Sequence, residues 1–379
     1  MRITARRLNR ATLARQLLLR RHQLGVVDAA RRVVALQAQQ PASPYLALWN
    51  RLTAFDPVDL DVAFADHTLV KATLMRITLH VVHVDDHPAM HAAMQPTLRA
   101  ARLGDSRFTA SGLRAADADA LLPDLLEFAG KPRTAAEVEA WLSARLGVPP
   151  KGVWWALRSF APLLHAPTGG PWSFGSRPSY VAARTPPTSG GREISDEYLR
   201  TLAQRYLEGF GPASVADVAQ FALVQRSRAR DALGALSGVL ERLEGPDGTE
   251  LFDVPCAPLP AEDTPAPPRL MAMWDSTLLA YADRSRVIPP DYRKLVARSN
   301  GDVLPTLLVD GYVAGVWRPV DGGIEATAFH RLPAGAWEGL AAEAGSLMTL
   351  LTGRDPRTYR RYDRWWTTLP SAEVRILPG

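Results

Sequence analysis

Four histidines, His80, His83, His87 and His91, stand close together with Asp85 and Asp86 between them, the densest group of metal-ligand side chains in the chain. His87 and His91 are four apart and fit one helix face, a spacing zinc pairs use. His80 and His83 point to opposite faces of a strand, and no His-Glu-x-x-His is present, so structural histidines fit the cluster better than a metal centre. Gln37-Ala-Gln39, followed by Gln40 and Pro41, offers different chemistry. A neutral amide both donates and accepts, so it can orient water or steady a developing charge, but it does not titrate near neutrality. On an ideal helix Gln37 and Gln39 lie about 200° apart. Pro41 discourages helical geometry at Gln40, and a loosened helix end would let both amides converge on one cavity. By pattern alone, the same glutamines also read as exposed polar punctuation. Neither a Gly-x-Ser-x-Gly elbow nor a Gly-x-x-x-x-Gly-Lys-Ser/Thr phosphate loop is present, which argues against acyl-ester hydrolases and nucleotide-dependent enzymes.

The elements that must position these residues repeat. Thr134-Ala-Ala-Glu-Val-Glu-Ala-Trp141 and Ser214-Val-Ala-Asp-Val-Ala-Gln-Phe221 each place a hydroxyl at a helix start and an acid three residues on. A second helix follows each, over Val153–Phe160 and Arg230–Leu236. Strand pairs come next: Leu163–Ala166 with Trp172–Phe174, and Val239–Leu243 with Glu250–Val254. Helix, turn, helix and hairpin is the winged-helix order. A weaker copy opens the chain, with helices over Leu8–Arg21, Asp28–Leu36, Tyr45–Leu52 and Val58–Phe64. One alternating, half-buried strand is predicted over Lys71–Val82, then a helix over Asp85–Arg102. A polar link runs from Thr185 to Gly191, and a proline-rich one from Pro255 to Pro268. Beyond it, Leu304–Trp317 reads as a hairpin turning at Asp310-Gly311, followed by a strand over Ile324–His330 and a helix over Ala336–Leu351. The expected fold is mainly α with β-hairpins (α+β). It divides into winged helices over residues 1–115, 116–190 and 191–265 and a β-containing C-terminal unit over 266–379.

Of 379 residues, 47% are apolar and 22% charged, the balance of a soluble globular chain with several cores. Lys+Arg is 44 against Asp+Glu 39, and only Lys71, Lys131, Lys151 and Lys294 are lysines, so 44 − 4 = 40 are arginines. Guanidinium is the better fork for phosphate, and three winged helices with this balance favour double-stranded DNA as partner. Arg226, Arg228 and Arg230 stand where winged helices touch phosphate, although a solvated basic face would look the same. The arginine- and aromatic-rich stretch Arg354–Trp366 could track a DNA backbone and stack bases, but it fits better as a terminal segment docked through Trp365 and Trp366. Cys256 is the only cysteine, which excludes an internal disulfide or a thiolate cluster. No apolar run is long enough to span a membrane, and the Arg-rich start lacks a secretory core, so a cytoplasmic protein is expected.

The segment Val33-Val-Ala-Leu-Gln-Ala-Gln-Gln-Pro-Ala-Ser-Pro-Tyr45, with Leu74-Met-Arg-Ile-Thr-Leu-His80 and Met273-Trp-Asp-Ser-Thr-Leu-Leu-Ala-Tyr-Ala-Asp-Arg-Ser-Arg286, resembles the winged-helix DNA glycosylases of the AlkZ and YcaQ type from Leu8 to about Trp366. That family's Gln-x-Gln signature falls on Gln37 and Gln39. YcaQ-type members carry an acid at the second position, so Gln39 puts this chain on the AlkZ side. The resemblance implies Gln37 and Gln39 as catalytic residues, with Lys71, Arg76, Arg226, Arg228, Arg230, Arg284 and Arg286 as candidate DNA contacts. It implies hydrolysis of the N-glycosidic bond of N7-alkylguanine, unhooking of interstrand cross-links, and self-resistance to a DNA-alkylating natural product such as azinomycin B. No metal or cofactor is expected. Alkylation at N7 already makes the base a cationic leaving group, so amides that orient water and stabilise an oxocarbenium-like sugar suffice. A cross-linked guanine cannot be swung freely into a deep pocket, so an open concave surface is expected, with the Leu304–Trp317 hairpin entering the minor groove. The enzyme would act as a monomer. The alternative is a winged-helix transcription regulator without catalysis, which would dimerise on a two-fold operator.

Overall fold

A computed structural model describes residues 1–147, 151–184 and 191–379. Thr134 and Ser214 begin their helices as their side chains dictate. Each hydroxyl accepts from the backbone N–H three residues on, and the carboxylates of Glu137 and Asp217 reach back to the cap N–H. Helices Ala135–Leu146 and Lys151–Phe160 precede a hairpin, and helices Val215–Ala222 and Arg226–Ala235 precede a second, Glu241–Glu244 with Glu250–Asp253. The link expected from Thr185 lies outside the described residues up to 190.

One strand differs from expectation. Leu163–Ala166 pairs with Ser179–Ala182, not with Trp172–Phe174. The two aromatics are worth more in the core: Trp172 lies 5.1 Å from Tyr45 and Phe174 lies 4.9 Å from Phe64, ring centre to ring centre.

The N-terminal region departs twice more. The stretch read as one strand over Lys71–Val82 is a hairpin, Leu69–Thr73 against Leu79–His83. Its turn passes through Arg76 and Ile77 at φ 53° and 58°, left-handed positions that ordinarily call for Gly or Asn. The helix read through Leu36 ends at Arg32, because Val34 adopts φ 75°. Leu36–Gln37 instead pairs with Val81 and His80. Gln37 is therefore a strand residue, and it needs no frayed helix end to reach the site. Strands 69–73 and 163–166 also pair, Lys71 opposite His165, so one six-stranded antiparallel sheet joins the first two regions of the chain.

The C-terminal region is a five-stranded antiparallel sheet under the helix Ala334–Arg354. Its hairpin turns at Asp310-Gly311 as expected. The turn does not project: Asp310 accepts from Arg6 and Arg10, and Asn9 Nδ2 donates to the Gly311 carbonyl at 2.8 Å. Docked on the first helix, the 304–317 hairpin has no tip to insert into a groove, which corrects that expectation. At φ 82°, Gly311 has no room for a Cβ beside Asn9, Arg10 and Leu13. Gly311→Ala is expected to cost about 1–3 kcal/mol, read as a lowered denaturation midpoint.

Two seams bind the C-terminal region to the motif-bearing one. Arg51 and Asp275, both about 1% exposed, form a bidentate pair at 2.9 and 3.0 Å. Next to it Ser276 Oγ donates to the Ala35 carbonyl at 2.8 Å, two residues before Gln37. The 273–286 motif is thus a structural clamp behind the glutamines. Trp365 and Trp366 are buried, with Arg298 over the Trp365 ring, so they dock the terminal segment and do not stack bases. Among the described residues no helix is long and apolar enough to cross a membrane.

Candidate active site

The two glutamines take unequal places. Gln37 is 3% exposed and its amide is held at both ends. Its Oε1 accepts from Arg76 Nη2 at 3.2 Å, and its Nε2 donates to Thr78 Oγ1 at 3.0 Å. One N–H and one lone pair stay unused. Gln39 is exposed, and its Oε1 accepts from the Leu79 backbone N–H at 3.0 Å. That bond fixes which way the amide faces, and its Nε2 has no protein partner among the described residues. Both amides are therefore oriented by the Met75–Ile77 hairpin: Gln37 from inside the fold, Gln39 at its surface.

Gln39 lines a cleft of about 740 Å³ that Gln37 does not line. Lys71, Arg102, Arg158 and Arg361 also line it, and Asp355 is its one carboxylate among the described residues. The Lys71 ammonium sits 4.4 Å from the Phe174 ring centre, and burial pushes it down to about 8. Arg102 lies 4.4 Å over Trp155, and its Nε donates to Ser159. Gln40, with its amide oxygen toward Arg361, accepts from Nη2 at 2.6 Å and Nε at 3.0 Å. The cleft thus carries a positive field around an amide donor, suited to an anionic backbone and a reaction at its rim.

The other expected DNA contacts separate. Arg226 and Arg230 are exposed on the helix Arg226–Ala235. Arg228 between them is buried, paired with Asp196 at 2.5 Å and bonded to Ser195 Oγ at 3.1 Å. Arg286 donates to the Pro212 carbonyl at 2.8 Å and lies over Tyr281, and Arg284 is half-buried. Arg76 faces inward: it bonds Gln37 and His80, and its Nη1 is buried without a partner. Burial lowers it to about 10, helped by Arg284. Arg76, Arg228 and Arg286 hold the fold, and of the arginines expected to touch DNA only Arg226 and Arg230 are fully exposed.

The histidine cluster is internal. His80, His83, His87 and His91 are all buried, and His87 and His91 stack at 5.5 Å. Burial pushes His87 down to about 3 and His91 to about 4, so both are neutral at pH 7. No three His, Cys, Asp or Glu side chains among the described residues are grouped to hold a metal.

Sequence reasoning missed Arg102, Arg158 and His165, and held Asp355 and Arg361 only as members of the 354–366 stretch; they reach the cleft through the sheet joint at Lys71–His165 and the return of the C-terminal segment. The motif 74–80 carried a signal for Arg76 and Thr78, but its unbroken alternation hid the turn that aims them.

A family model described as DNA glycosylase AlkZ-like matches residues 30–350. A curated relative, an interstrand DNA cross-link repair glycosylase of Streptomyces sahachiroi, is 25% identical over 367 residues, spanning 87% of this chain and 92% of its own. The solved structure of the Streptomyces sahachiroi DNA glycosylase AlkZ superposes with a TM-score of 0.78 at 23% identity, covering 93% of this chain and 98% of that one.

Proposed function

The chain belongs to the AlkZ-like DNA glycosylase family and is a DNA glycosylase, and from that premise we propose that it hydrolyses the N-glycosidic bond of N7-alkylguanine and unhooks interstrand cross-links made through that position. The observation that carries this reading is an exposed amide donor, Gln39, clamped by backbone on a cationic cleft. A cationic base leaves with the bonding electrons and becomes neutral, so the protein need not protonate it. What remains is to place water at C1′ and to stabilise positive charge on the sugar. Gln39 presents its Nε2 to that water, and Gln37, buried behind it, holds the supporting hairpin through Arg76 and Thr78. Because Gln39 is exposed where it lines the cleft, a guanine tethered to the opposite strand can be met there without a full swing out of the helix. The three helix–turn–helix–hairpin regions, taken as winged helices over 1–115, 116–190 and 191–265, supply the remaining DNA surface through residues such as Arg226 and Arg230. The enzyme works as a monomer in the cytoplasm, and a natural role is self-resistance to a DNA-alkylating product such as azinomycin B. The family sets aside the regulator reading.

The test is incubation of purified protein with duplexes carrying N7-methylguanine, and separately an N7–N7 interstrand cross-link. Free base, alkali-labile breaks and separation of the cross-linked strands on a denaturing gel are the expected results; their absence refutes the substrate assignment. A salt titration checks the cleft. Four cations neutralising phosphates predict a slope of log affinity against log salt of about −3.6, or about 10²-fold weaker duplex binding from 50 to 200 mM. A flat response removes the cleft as the DNA-binding surface.

A further inference from the structure

Water attacking C1′ must lose a proton, and neither glutamine can take it, because an amide is not a base near neutral pH. Among the described residues lining the cleft Asp355 is the one carboxylate, while Lys71, at about 8, is mostly a cation at pH 7 and burial pushes His165 down to about 3. Asp355 follows the last residue of the long helix Ala334–Arg354 and lines both the Gln39 cleft and an adjoining hollow of about 220 Å³ with Gln40, Pro41 and Trp172.

Its position is held from several sides. Arg354 is tied to Asp61 at 2.6 Å and donates to the Pro171 carbonyl at 3.1 Å. Tyr359 shares a 2.9 Å hydroxyl contact with Ser43 and accepts from the Met273 N–H at 3.3 Å. Arg361 meets Gln40. The C-terminal segment is therefore strapped to the 39–43 stretch, and Asp355 stands between the straps. Of its carboxylate, Oδ1 accepts from the Arg357 N–H at 3.0 Å, while Oδ2 has only a long 3.5 Å contact to Thr358. One oxygen anchors the group and the other is left for a ligand.

We infer that Asp355 is the general base of this glycosylase, lining the same cleft as the Gln39 amide. This rests on the substrate reading above. As the C1′–N9 bond breaks and its electrons leave with the neutral N7-alkylguanine, water forms the new bond to C1′. Its proton passes to Asp355 Oδ2 and then to bulk solvent. The same carboxylate offsets the positive charge that appears on the sugar amid Lys71, Arg102, Arg158 and Arg361, where an unrelieved cation would be strongly disfavoured. The other cations near it are Arg354, paired with Asp61, and Arg357 and Arg360, which line the adjoining hollow; His165 in the cleft is kept neutral by burial.

Asp355→Asn keeps an acceptor for the Arg357 N–H and removes the base. With N7-methylguanine duplex, kcat is expected to fall by about 10²–10⁴ with KM within about twofold. The acidic limb of the parent pH–rate profile should vanish. Asp355→Glu should restore the limb and part of the rate, and melting curves of both variants should match the parent. A variant that keeps the parental rate, or that loses rate while keeping the acidic limb, overturns the assignment. A parent inactive on this duplex instead overturns the substrate reading, and the base with it.

Discussion

Gln39→Ala is expected to lower kcat for N7-alkylguanine excision by about 10²–10³, the loss of one preorganised donor at the reacting centre, or about 3–4 kcal/mol. KM should change little, because the amide is one small group on a cleft whose binding is carried by four cations. Gln37→Ala is expected to fall comparably by another route. It would leave Arg76 Nη2 without Oε1 and free Thr78 Oγ1, loosening the turn whose next residue, Leu79, grips Gln39. The double variant should therefore lose less than the product of the single losses. Single-turnover kinetics on one duplex check all three; parental rates in both single variants would end the catalytic assignment of the pair.

The second large effect concerns stability. Asp275→Asn leaves the Arg51 guanidinium buried, about 1% exposed, with no compensating charge. Breaking such a pair on one side typically costs about 3–5 kcal/mol. Burial alone would raise the Asp275 carboxyl, but Arg51 and the Thr277 N–H and hydroxyl outweigh it and hold it below the ordinary value. A carboxyl depressed by folding stabilises above its unfolded pKa, so the contribution is complete at neutral pH and begins to fade as pH falls below about 4. Denaturant unfolding at pH 7 and at pH 3 should therefore show a large gap between parent and variant at the first pH and a smaller one at the second. Equal midpoints at pH 7 would remove the clamp. The variant should also excise more slowly below its melting point, since Ser276, adjacent to the lost anchor, holds the Ala35 carbonyl behind Gln37.

The repeated capping boxes at Thr134 and Ser214, the helices they open and the Asp310-Gly311 hairpin were legible because each is a local device: a side chain and a backbone group within a few residues decide it. The pair of amides was legible as residue types, and so was their chemistry, since what an amide can donate, accept or titrate does not depend on the fold. Placement was a different matter. Whether Gln37 sat on a helix or a strand turned on Val34 adopting φ 75°, and the hairpin behind both glutamines turned on Arg76 and Ile77 at positive φ. Residues so ill-suited to those angles are held there by surrounding packing, which no window of sequence contains. The division of the arginines into cleft, surface and buried strut likewise needed the whole chain. Guanidinium suits a phosphate and a buried carboxylate equally, and only the company of Asp196 for Arg228, or of Gln37 for Arg76, decides between them. Asp355 is the clearest case: more than three hundred residues from Gln39, it enters the same cleft because the C-terminal segment is strapped across the motif.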